Sequence, residues 1–425
     1  MKIIIVGAGF AGLQLARRLN DKQDTEILLI DKNNYHQFQP LFYQVATAGL
    51  DASNISFPLR KVFHDSKNVS IRLAELQNVN TKENTITTDI GILYYDILVL
   101  ATGADTNFFG NDNLKRLAFP MKSTVEALQL KQKLIQNFED ALEIKNPVAL
   151  EQQLSIVIVG GGATGVEVSG AIAEMRNNIL PKDYPDLDFT KMKIYLLEHS
   201  PLILGAMSYK SSIESKQYLQ DLGVIVQNGS ALESYDGNIV TLKDGKTIAT
   251  KTVIWSAGIK GNVPQGIDNE LIVRGNRIKV DRTNKMQGFD NIYILGDVAY
   301  METPKYPNGH PQVANVAINQ AKNLAVNIDR LLTGNKHFLN EFEYEDKGSM
   351  ATVGRHLAVV DIPNPKWHFS GFFAWLVWMG LHLILILGVK NRLQILINWI
   401  YKYFTRDQSL RLLFKYYYKP DKSTT

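Results

Sequence analysis

The chain has 425 residues, of which 45% are hydrophobic and 21% charged, with a formal net charge of only +4 and no cysteine. A chain of this length and composition can bury two modest hydrophobic cores and a further terminal segment. The absence of cysteine excludes disulfide bonds and every enzyme class whose chemistry needs a redox-active protein thiol. We also predict no metal site.

The N-terminus begins with an apolar strand that leads at once into a glycine-rich turn. The run at 2–6 is followed by Gly7, Gly9 and Gly12 in the pattern GxGxxG and then by a helical stretch. Such a turn needs one glycine for the bend, one for close approach of a pyrophosphate and one for packing of the helix on the strand. The sequence therefore predicts a dinucleotide-binding turn.

The next predicted strand, at 26–30, ends at an acidic residue. A carboxylate at this point accepts hydrogen bonds from the ribose hydroxyls of a bound dinucleotide. Asp31 and the adjoining Lys32 are therefore predicted contacts of the first dinucleotide.

The same arrangement recurs in the middle of the chain. A second apolar run at 155–159 precedes Gly160, Gly162 and Gly165, which again open a helical stretch. One GxGxxG motif is weak evidence, but each copy here has the strand and the helix that the motif requires. The chain is therefore predicted to hold two dinucleotides.

The acidic residue of the second copy is Glu198, which closes a predicted strand at 192–197. A carboxylate at this position repels a 2′-phosphate, and His199 rather than an arginine follows it. The second dinucleotide is therefore predicted to be NADH rather than NADPH.

A further repeat lies downstream of each glycine-rich turn. The strand that leads to Thr102 and Gly103 is matched by the strand that leads to Gly258. Gly7 and Gly160 lie 153 residues apart, and Gly103 and Gly258 lie 155 apart. Two copies of a whole module, each with antiparallel hairpins, fit these offsets better than two unrelated loops. Thr102, Gly103 and Gly258 are therefore predicted to line the cofactor sites.

A buried strand at 291–295 stops at Gly-Asp, and Asp297 stands at its end. At this point the sequence resembles the two-dinucleotide flavoprotein reductases, in which such an aspartate binds the ribityl chain of the flavin. The resemblance implies FAD in the N-terminal module and NADH in the second. It predicts an α/β fold with two Rossmann-like domains: a discontinuous FAD domain at 1–150 and 268–365, and an NADH domain at 151–267.

The C-terminal region, 366–425, is predicted to form helices that associate with a membrane. Residues 369–389 contain no Asp, Glu, Lys or Arg. The run is barely long enough to span a bilayer, so a core helix, a single span and a monotopic helix lying in one leaflet all remain open. The next segment places apolar side chains on one helical face: Leu393, Leu396, Ile397, Ile400, Tyr401 and Phe404.

Basic residues are concentrated at the same end of the chain. Residues 390–425 hold eight Lys and Arg against two Asp. Four of them are placed as interfacial anchors would be: Lys390, Arg392, Lys402 and Arg406. A basic, apolar and aromatic tail favours an anionic membrane surface over nucleic acid as its partner.

These features together resemble the type II NADH dehydrogenases, the single-subunit NADH:quinone oxidoreductases that pump no protons. The resemblance rests on the loop at 33–50, on the turn from Gly160 to Glu167, and on the tail from Phe369 to Phe404. It implies transfer of a hydride from NADH to FAD and then of electrons to a membrane quinone of a respiratory chain. Glu167 is the residue it places near the nicotinamide and the flavin, as a catalytic residue.

One motif departs from the family. The family's quinone motif has the form Ala-Gln-x-Ala-x-Gln, whereas this chain has Ala314, Asn315 and Asn319 at the corresponding positions. Each amide is one methylene shorter, so a direct hydrogen bond to a quinone carbonyl would become water-mediated or vanish. Gln312 and Gln320 flank the motif and are candidates to compensate.

Two other functions stay open at the level of sequence. One is a soluble NADH-dependent reductase of ferredoxin or rubredoxin, and the other is a non-catalytic NADH-sensing flavoprotein. The location predicted for the quinone reductase is the cytoplasmic face of the cell membrane, peripheral and monotopic, with a single span at 369–389 as the alternative. The oligomeric state stays open, and a homodimer is one candidate.

Overall fold

The structure is a computed structural model and describes residues 1–335 and 338–414. Its helices, in chain order, are α1 (Phe10–Leu19), α2 (Phe42–Ala46), α3 (Ala52–Ile55), α4 (Leu59–Val62), α5 (Asp112–Leu117), α6 (Thr124–Ala141), α7 (Pro147–Leu154), α8 (Ala163–Asn178), α9 (Leu180–Asp183), α10 (Tyr209–Asp221), α11 (Ala314–Leu332), α12 (Gly371–Leu385) and α13 (Val389–Thr405).

The strands, in chain order, are β1 (Lys2–Val6), β2 (Glu26–Asp31), β3 (Tyr35–Gln37), β4 (Ser56–Pro58), β5 (Val69–Leu73), β6 (Leu76–Asn80), β7 (Thr85–Thr88), β8 (Gly91–Tyr94), β9 (Ile97–Leu100), β10 (Ala104–Thr106), β11 (Phe119–Pro120), β12 (Ile156–Val159), β13 (Ile194–Glu198), β14 (Val224–Asn228), β15 (Leu232–Tyr235), β16 (Ile239–Leu242), β17 (Thr247–Ala249), β18 (Thr252–Trp255), β19 (Ile259–Gly261), β20 (Ile272–Val273), β21 (Arg277–Val280), β22 (Ile292–Ile294), β23 (Ala299–Met301), β24 (Ser349–Val353), β25 (Leu357–Ile362) and β26 (Trp367–Ser370).

The chain forms two compact units. The first unit holds residues 1–37, 56–107 and 258–346, and the second holds 38–55, 108–257 and the described residues from 347 onward. The division of the chain into an FAD domain and an NADH domain at the boundaries given above stays a prediction, because packing alone does not identify a ligand.

The first unit is built on a five-stranded parallel sheet in the order β22-β9-β1-β2-β5. Ile3, Ile4 and Ile5 of the central strand are fully buried, which explains the unbroken β-branched run in the sequence. Helices α1 and α11 pack against each other in this unit. A three-stranded antiparallel meander, β6-β7-β8, provides the predicted hairpins.

The second unit repeats this plan. Its parallel sheet has the order β11-β18-β12-β13-β14, with β12 in the place that β1 takes in the first sheet. A second antiparallel meander, β15-β16-β17, follows it in the chain. The repeat in the sequence therefore corresponds to a repeat in topology.

The second unit also contains a three-stranded antiparallel sheet, β24-β25-β26, against which α8 and α12 pack. Residues 363–366 form the turn between β25 and β26, so the chain returns as a strand before the terminal helices begin. The start of the tail is therefore Gly371, after a strand that belongs to the folded body of this unit.

The terminal helices bury one face each within the second unit. On α12 the buried residues include Trp375, Trp378 and His382, and on α13 they are Ile395 and Trp399. Within the described part of the chain, no helix combines the length and the apolar character needed to cross a membrane.

Candidate functional site

The first glycine-rich turn joins β1 to α1 with each glycine in a distinct environment. Gly7 has φ +101°, and a Cβ there would lie 2.2 Å from the Ala101 carbonyl oxygen. A Cβ on Gly12 would lie 1.8 Å from the Gly7 carbonyl oxygen. A Cβ on Gly9 would meet nothing within 4 Å, so this glycine keeps the N-terminus of α1 open to an anion.

The Asp31 carboxylate is fixed beside this turn. Its Oδ2 accepts a hydrogen bond of 2.7 Å from the backbone N–H of Ala8, and its Oδ1 accepts one of 2.7 Å from Asn33. Burial raises the pKa of Asp31, and these two hydrogen bonds oppose the rise. Lys32 is exposed, on the outer side of the strand end.

The second turn, between β12 and α8, has the same geometry. Gly160 has φ +106° and a Cβ there would lie 2.7 Å from the Ser256 backbone. A Cβ on Gly165 would lie 1.8 Å from the Gly160 carbonyl oxygen, whereas one on Gly162 would meet nothing within 4 Å. Both turns therefore have one glycine at the bend, one with open space above it and one packed against the backbone, and the approach of a pyrophosphate stays a prediction.

Glu198 repeats the contacts of Asp31. Its Oε2 accepts a hydrogen bond of 2.6 Å from the backbone N–H of Gly161, and its Oε1 accepts one of 2.7 Å from Ser200. Each carboxylate therefore holds the middle of its own turn and keeps lone pairs for a ribose.

The strand ends downstream of the turns are fixed by side chains. Thr102 donates from Oγ1 to the Asn262 carbonyl at 2.6 Å, and the Gly103 carbonyl accepts from the Asn262 backbone at 2.9 Å. Gly103 has φ +69° and Gly258 has φ +133°, backbone conformations that favour glycine. The Gly258 carbonyl accepts a hydrogen bond of 3.0 Å from Asn107.

Asp297 lies in a short 3-10 turn that two glutamines brace. Gln312 donates to the Asp297 carbonyl at 2.8 Å, and the Gln320 carboxamide oxygen accepts from the Gly296 backbone at 2.8 Å. Gln320 is 1% exposed. Both glutamines therefore support the backbone that carries Asp297.

The residues of the altered quinone motif lie on the first two turns of α11. The Asn315 side chain forms a hydrogen bond with the Tyr344 hydroxyl, and Asn319 accepts from Lys322 at 3.3 Å. Ala314 is half-buried at the start of the helix. Gln320 is almost fully buried, whereas Asn315 is half-buried, so Asn315 is the more accessible candidate of the two.

Glu167 lies in the second turn of α8 and is 9% exposed. Its Oε1 accepts from the Thr352 backbone at 3.4 Å, and its carboxyl also accepts from the Thr352 hydroxyl. Burial raises the pKa of Glu167 to about 8, although both hydrogen bonds lower it. The carboxyl therefore holds a proton at neutral pH and can release it near physiological conditions.

The terminal helices leave a broad apolar surface exposed. Exposed side chains of α12 and α13 include Phe372, Phe373, Leu376, Val377, Leu381, Ile384, Leu385, Val389, Leu393, Ile397, Ile400, Tyr401 and Phe404. We call this set the terminal apolar surface.

Two of the basic residues predicted as interfacial anchors have other partners. Arg392 donates to the Ile384 carbonyl at 2.9 Å and to the Ile386 carbonyl at 2.8 Å, so it caps the end of α12. Lys402 donates from Nζ to the Gln408 amide oxygen at 2.9 Å. In this orientation of the amide, the Gln408 nitrogen donates to the Thr47 carbonyl. Both side chains bind groups of the protein, and their role as interfacial anchors stays a prediction. The basic residues Lys415, Lys419 and Lys422 lie outside the described residues.

The sequence reasoning missed two residues that brace the turns. His36 Nδ1 lies 2.9 Å from the Ala8 carbonyl, and burial lowers the pKa of this histidine. Ser256 donates from Oγ to the Val159 and Gly160 carbonyls at 2.9 and 3.1 Å. No local signal marks either residue, because each is distant in sequence from the turn it supports.

Two glycine-rich turns with a carboxylate each define a two-dinucleotide oxidoreductase. Residues 1–321 match the family model described as pyridine nucleotide-disulphide oxidoreductase, and residues 347–407 match that of the NDH2 C-terminal domain. The chain therefore has the fold of that class, although it has no cysteine.

The relatives narrow the class to one family. The chain is 35% identical over 415 residues to the type II NADH:quinone oxidoreductase Ndh of Mycobacterium tuberculosis, a match covering 94% of this chain and 87% of the relative. It is 33% identical to NdhA of the same organism, covering 94% and 86%. The fold is similar to that of an NDH2 of Plasmodium falciparum solved with NADH, with a TM-score of 0.88, 21% identity, and coverage of 97% of this chain and 99% of the other. The chain belongs to the type II NADH:quinone oxidoreductases.

Proposed function

We propose that this protein is a single-subunit FAD-dependent NADH:quinone reductase that pumps no protons. The observation that carries the proposal is the duplicated turn, in which an open glycine at a helix N-terminus is paired with a fixed carboxylate. Because the chain has no cysteine, electrons taken from NADH cannot leave through a protein dithiol and must pass to an external acceptor. The family supplies the identity of that acceptor as a quinone.

The first unit fits FAD. The open N-terminus of α1 at Gly9 would receive the pyrophosphate, and Asp31 would bind the adenosine ribose, with Lys32 at the outer edge. Thr102, Gly103 and Asp297 would contact the rest of the cofactor. Bound FAD would supply a two-electron carrier between NADH and the quinone.

The second unit fits NADH. The open N-terminus of α8 at Gly162 would receive the pyrophosphate, and Glu198 would accept from the ribose hydroxyls. The Glu198 carboxylate, held in place by two backbone hydrogen bonds, would repel a 2′-phosphate on that ribose, which favours NADH over NADPH. We assign Gly258 to the same site.

Glu167 is the proposed catalytic residue of this unit. Reduction of a quinone by NADH consumes one proton from solution in addition to the hydride, so the site needs a group that gains and loses a proton. The Glu167 carboxyl, with its pKa raised to about 8 by burial, is suited to that role. Asn315, at the start of α11 with Ala314, is the proposed polar contact of the quinone carbonyl, with Asn319 and Gln320 as weaker candidates.

The terminal apolar surface is proposed to enter one leaflet of an anionic membrane from its cytoplasmic face. Ile384 is 69%, Val389 71% and Phe404 77% exposed, and so many exposed apolar side chains in water would promote aggregation. Basic residues of the tail, such as Lys390, would face anionic headgroups.

Reductive titration of the full-length protein tests the catalytic part of the proposal. The purified protein is expected to be yellow with noncovalent FAD, to be bleached faster by NADH than by NADPH, and to recover colour when quinone is added. Equal bleaching by both nucleotides would contradict the Glu198 assignment. Recovery with ferredoxin but not with quinone would favour the soluble-reductase alternative.

Flotation with anionic vesicles tests the membrane part. Replacing Phe404 with Ser removes one exposed ring from the terminal apolar surface and should weaken vesicle binding by roughly 1.5 kcal/mol, or about tenfold. Val148→Ser is the matched control, because Val148 is 78% exposed outside this surface. If both variants float as well as the wild type, the terminal apolar surface is not the membrane contact.

A further inference from the structure

Glu167 is connected to the last helix of the described chain by four hydrogen bonds in series within the second unit. Trp399 on α13 donates from Nε1 to Gln44 Oε1 at 2.7 Å, and Gln44 Nε2 donates to the Tyr43 hydroxyl at 2.9 Å. The Tyr43 hydroxyl lies 2.9 Å from Thr352 Oγ1, and the Thr352 hydroxyl binds the Glu167 carboxyl.

The whole series is buried. Trp399 is 5% exposed, Gln44 6%, Tyr43 5% and Thr352 1%. A buried polar group without a partner costs free energy, so each member of such a series constrains the orientation of the next.

The chemistry of the first two members fixes the direction of the series. An indole N–H can only donate, so the oxygen of the Gln44 amide must face Trp399 and its nitrogen must face Tyr43. An amide nitrogen also only donates, so the Tyr43 oxygen accepts and its single proton is free to be donated to Thr352. The Thr352 proton is then directed at Glu167.

We propose that Trp399 is a positioning residue whose hydrogen bond to Gln44 directs this series toward Glu167 and so sets how firmly the Glu167 carboxyl holds its proton. The series acts against burial, because a directed hydroxyl stabilises the ionised carboxylate more than the neutral carboxyl. The inference deepens the proposed role of Glu167 and rests on that role for its kinetic readout only.

Other ionisable groups around α8 have separate partners. Tyr43 is the ionisable group within the series itself. Its pKa is raised mainly by burial and, to a smaller extent, by the charge of Glu167. Glu174 lies two turns further along α8 and accepts from the Arg355 backbone at 3.3 Å. Charged groups on elements packed against α8 or close to Glu174 include Lys402, which Gln408 binds; Glu214 on α10, which pairs with His368 and Lys210; Asp183 on α9, which pairs with Arg411; and Glu198 on β13, which accepts from Gly161 and Ser200.

The same helix presents two faces with different surroundings. Trp399 lies on the buried face of α13, whereas Ile397, Ile400 and Phe404 belong to the terminal apolar surface. The helix that we propose to contact lipid is therefore the helix from which the series starts.

The direct test is an infrared titration of the Glu167 carboxyl in the full-length, FAD-containing protein. The band is identified as the carboxyl C=O signal that is lost in Glu167→Gln. Trp399→Phe should raise the apparent pKa of this carboxyl by roughly half a unit to one unit, because Gln44 is then free to turn and the series loses its direction. Thr352→Val, which removes the last donor, should raise it further, and Thr352→Ser should restore the wild-type value.

Trp378→Phe is the matched control. Trp378 is 1% exposed and its ring packs 5.4 Å from that of Trp399, but it is not a member of the series. If Trp378→Phe shifts the titration as much as Trp399→Phe, packing of the terminal helices and not the hydrogen bond is responsible, and the proposal is overturned. An unshifted titration in Trp399→Phe overturns it as well.

Tyr43→Phe provides a second route if Trp399→Phe does not fold. It removes one oxygen from the series and should also raise the apparent pKa of Glu167, and an unchanged value would contradict the proposal.

The kinetic readout separates this inference from the proposed function. The alkaline limb of the NADH:quinone rate profile should move to higher pH in Trp399→Phe, and the substitution should have no further effect on the profile in a Glu167→Gln background. A Glu167→Gln variant with the wild-type profile would refute the catalytic role of Glu167, and the infrared titration would still decide whether the series exists.

Discussion

The two glycine-rich turns of this protein share their backbone geometry but differ in the helix that follows. In each turn one glycine has a φ near +100°, one has open space above it and one lies against a carbonyl oxygen. Five residues after the open glycine, however, the first helix has Gln14 and the second has Glu167. Gln14 is half-buried on α1, whereas Glu167 is buried on α8, against which β24 and α2 pack.

This difference shows that the turn and the surrounding packing have separate effects. The turn leaves a helix N-terminus open through backbone geometry alone, and it does so twice with different neighbours. The proton affinity of the side chain five residues after the open glycine depends on which other elements pack over the helix. Of the two helices, only the second has a buried carboxyl at this position, and burial is what raises the pKa of Glu167.

The largest effect is expected where the turn itself is filled. Gly165→Ala would place a Cβ 1.8 Å from the Gly160 carbonyl oxygen, so the variant should lose NADH-dependent activity and about 3 kcal/mol of unfolding free energy. Gly162→Ala is the control, because its Cβ would meet only open space and should raise the NADH KM without a comparable loss of stability. Denaturant unfolding and steady-state kinetics distinguish them, and equal destabilisation by both would refute the assignment of the glycine roles.

The next effect concerns the group that distinguishes the two helices. Glu167 is protonated below its pKa of about 8 and ionised above it, so a rate that needs the protonated carboxyl should fall as the pH rises through about 8. Glu167→Gln should lower kcat by about a hundredfold at neutral pH, flatten that limb, and leave FAD bound. The measurement is kcat for quinone reduction across the pH range, with Glu174→Gln as the control. An unchanged profile would remove Glu167 from the catalytic residues.

A smaller effect is expected at the carboxylate of the second turn. Glu198→Ala removes the acceptor of the Gly161 and Ser200 backbone hydrogen bonds and the proposed ribose contact, so NADH binding should weaken by ~1–3 kcal/mol. Asp236→Ala is the control, since Asp236 caps an exposed turn outside the site. NADH binding by equilibrium titration gives the answer. A loss of FAD instead of NADH would exchange the two ligand assignments.

The smallest effect is expected from making the first helix resemble the second. Gln14→Glu places a carboxyl at the equivalent position of α1, where the surroundings are only half-buried, so it should titrate close to its ordinary range and change turnover by less than about twofold. Infrared titration and kcat measure both quantities. A carboxyl at position 14 that titrates near pH 8 would mean that the position on the helix, and not burial by neighbouring elements, raises the pKa.

The sequence by itself determined the two dinucleotide turns, their acidic partners Asp31 and Glu198, and the repeated topology. These features depend on residues close together in the chain, where a glycine that needs a positive φ or a strand that needs a continuous apolar run leaves a local signature. The prediction of the fold class and of NADH:quinone oxidoreductase activity rests on that signature together with the family resemblance.

The tertiary structure alone decided which side chains support these turns and which surround Glu167. Ser256 braces Gly160 from 96 residues away, and Thr352 reaches Glu167 across 185 residues. It also decided that Arg392 caps α12, and that Trp399 turns inward while its neighbours stay exposed. Hydrogen bonds of this kind join elements that only the packed fold brings together, and burial, which sets the proton affinity of Glu167, is a property of the packed fold and not of the local sequence.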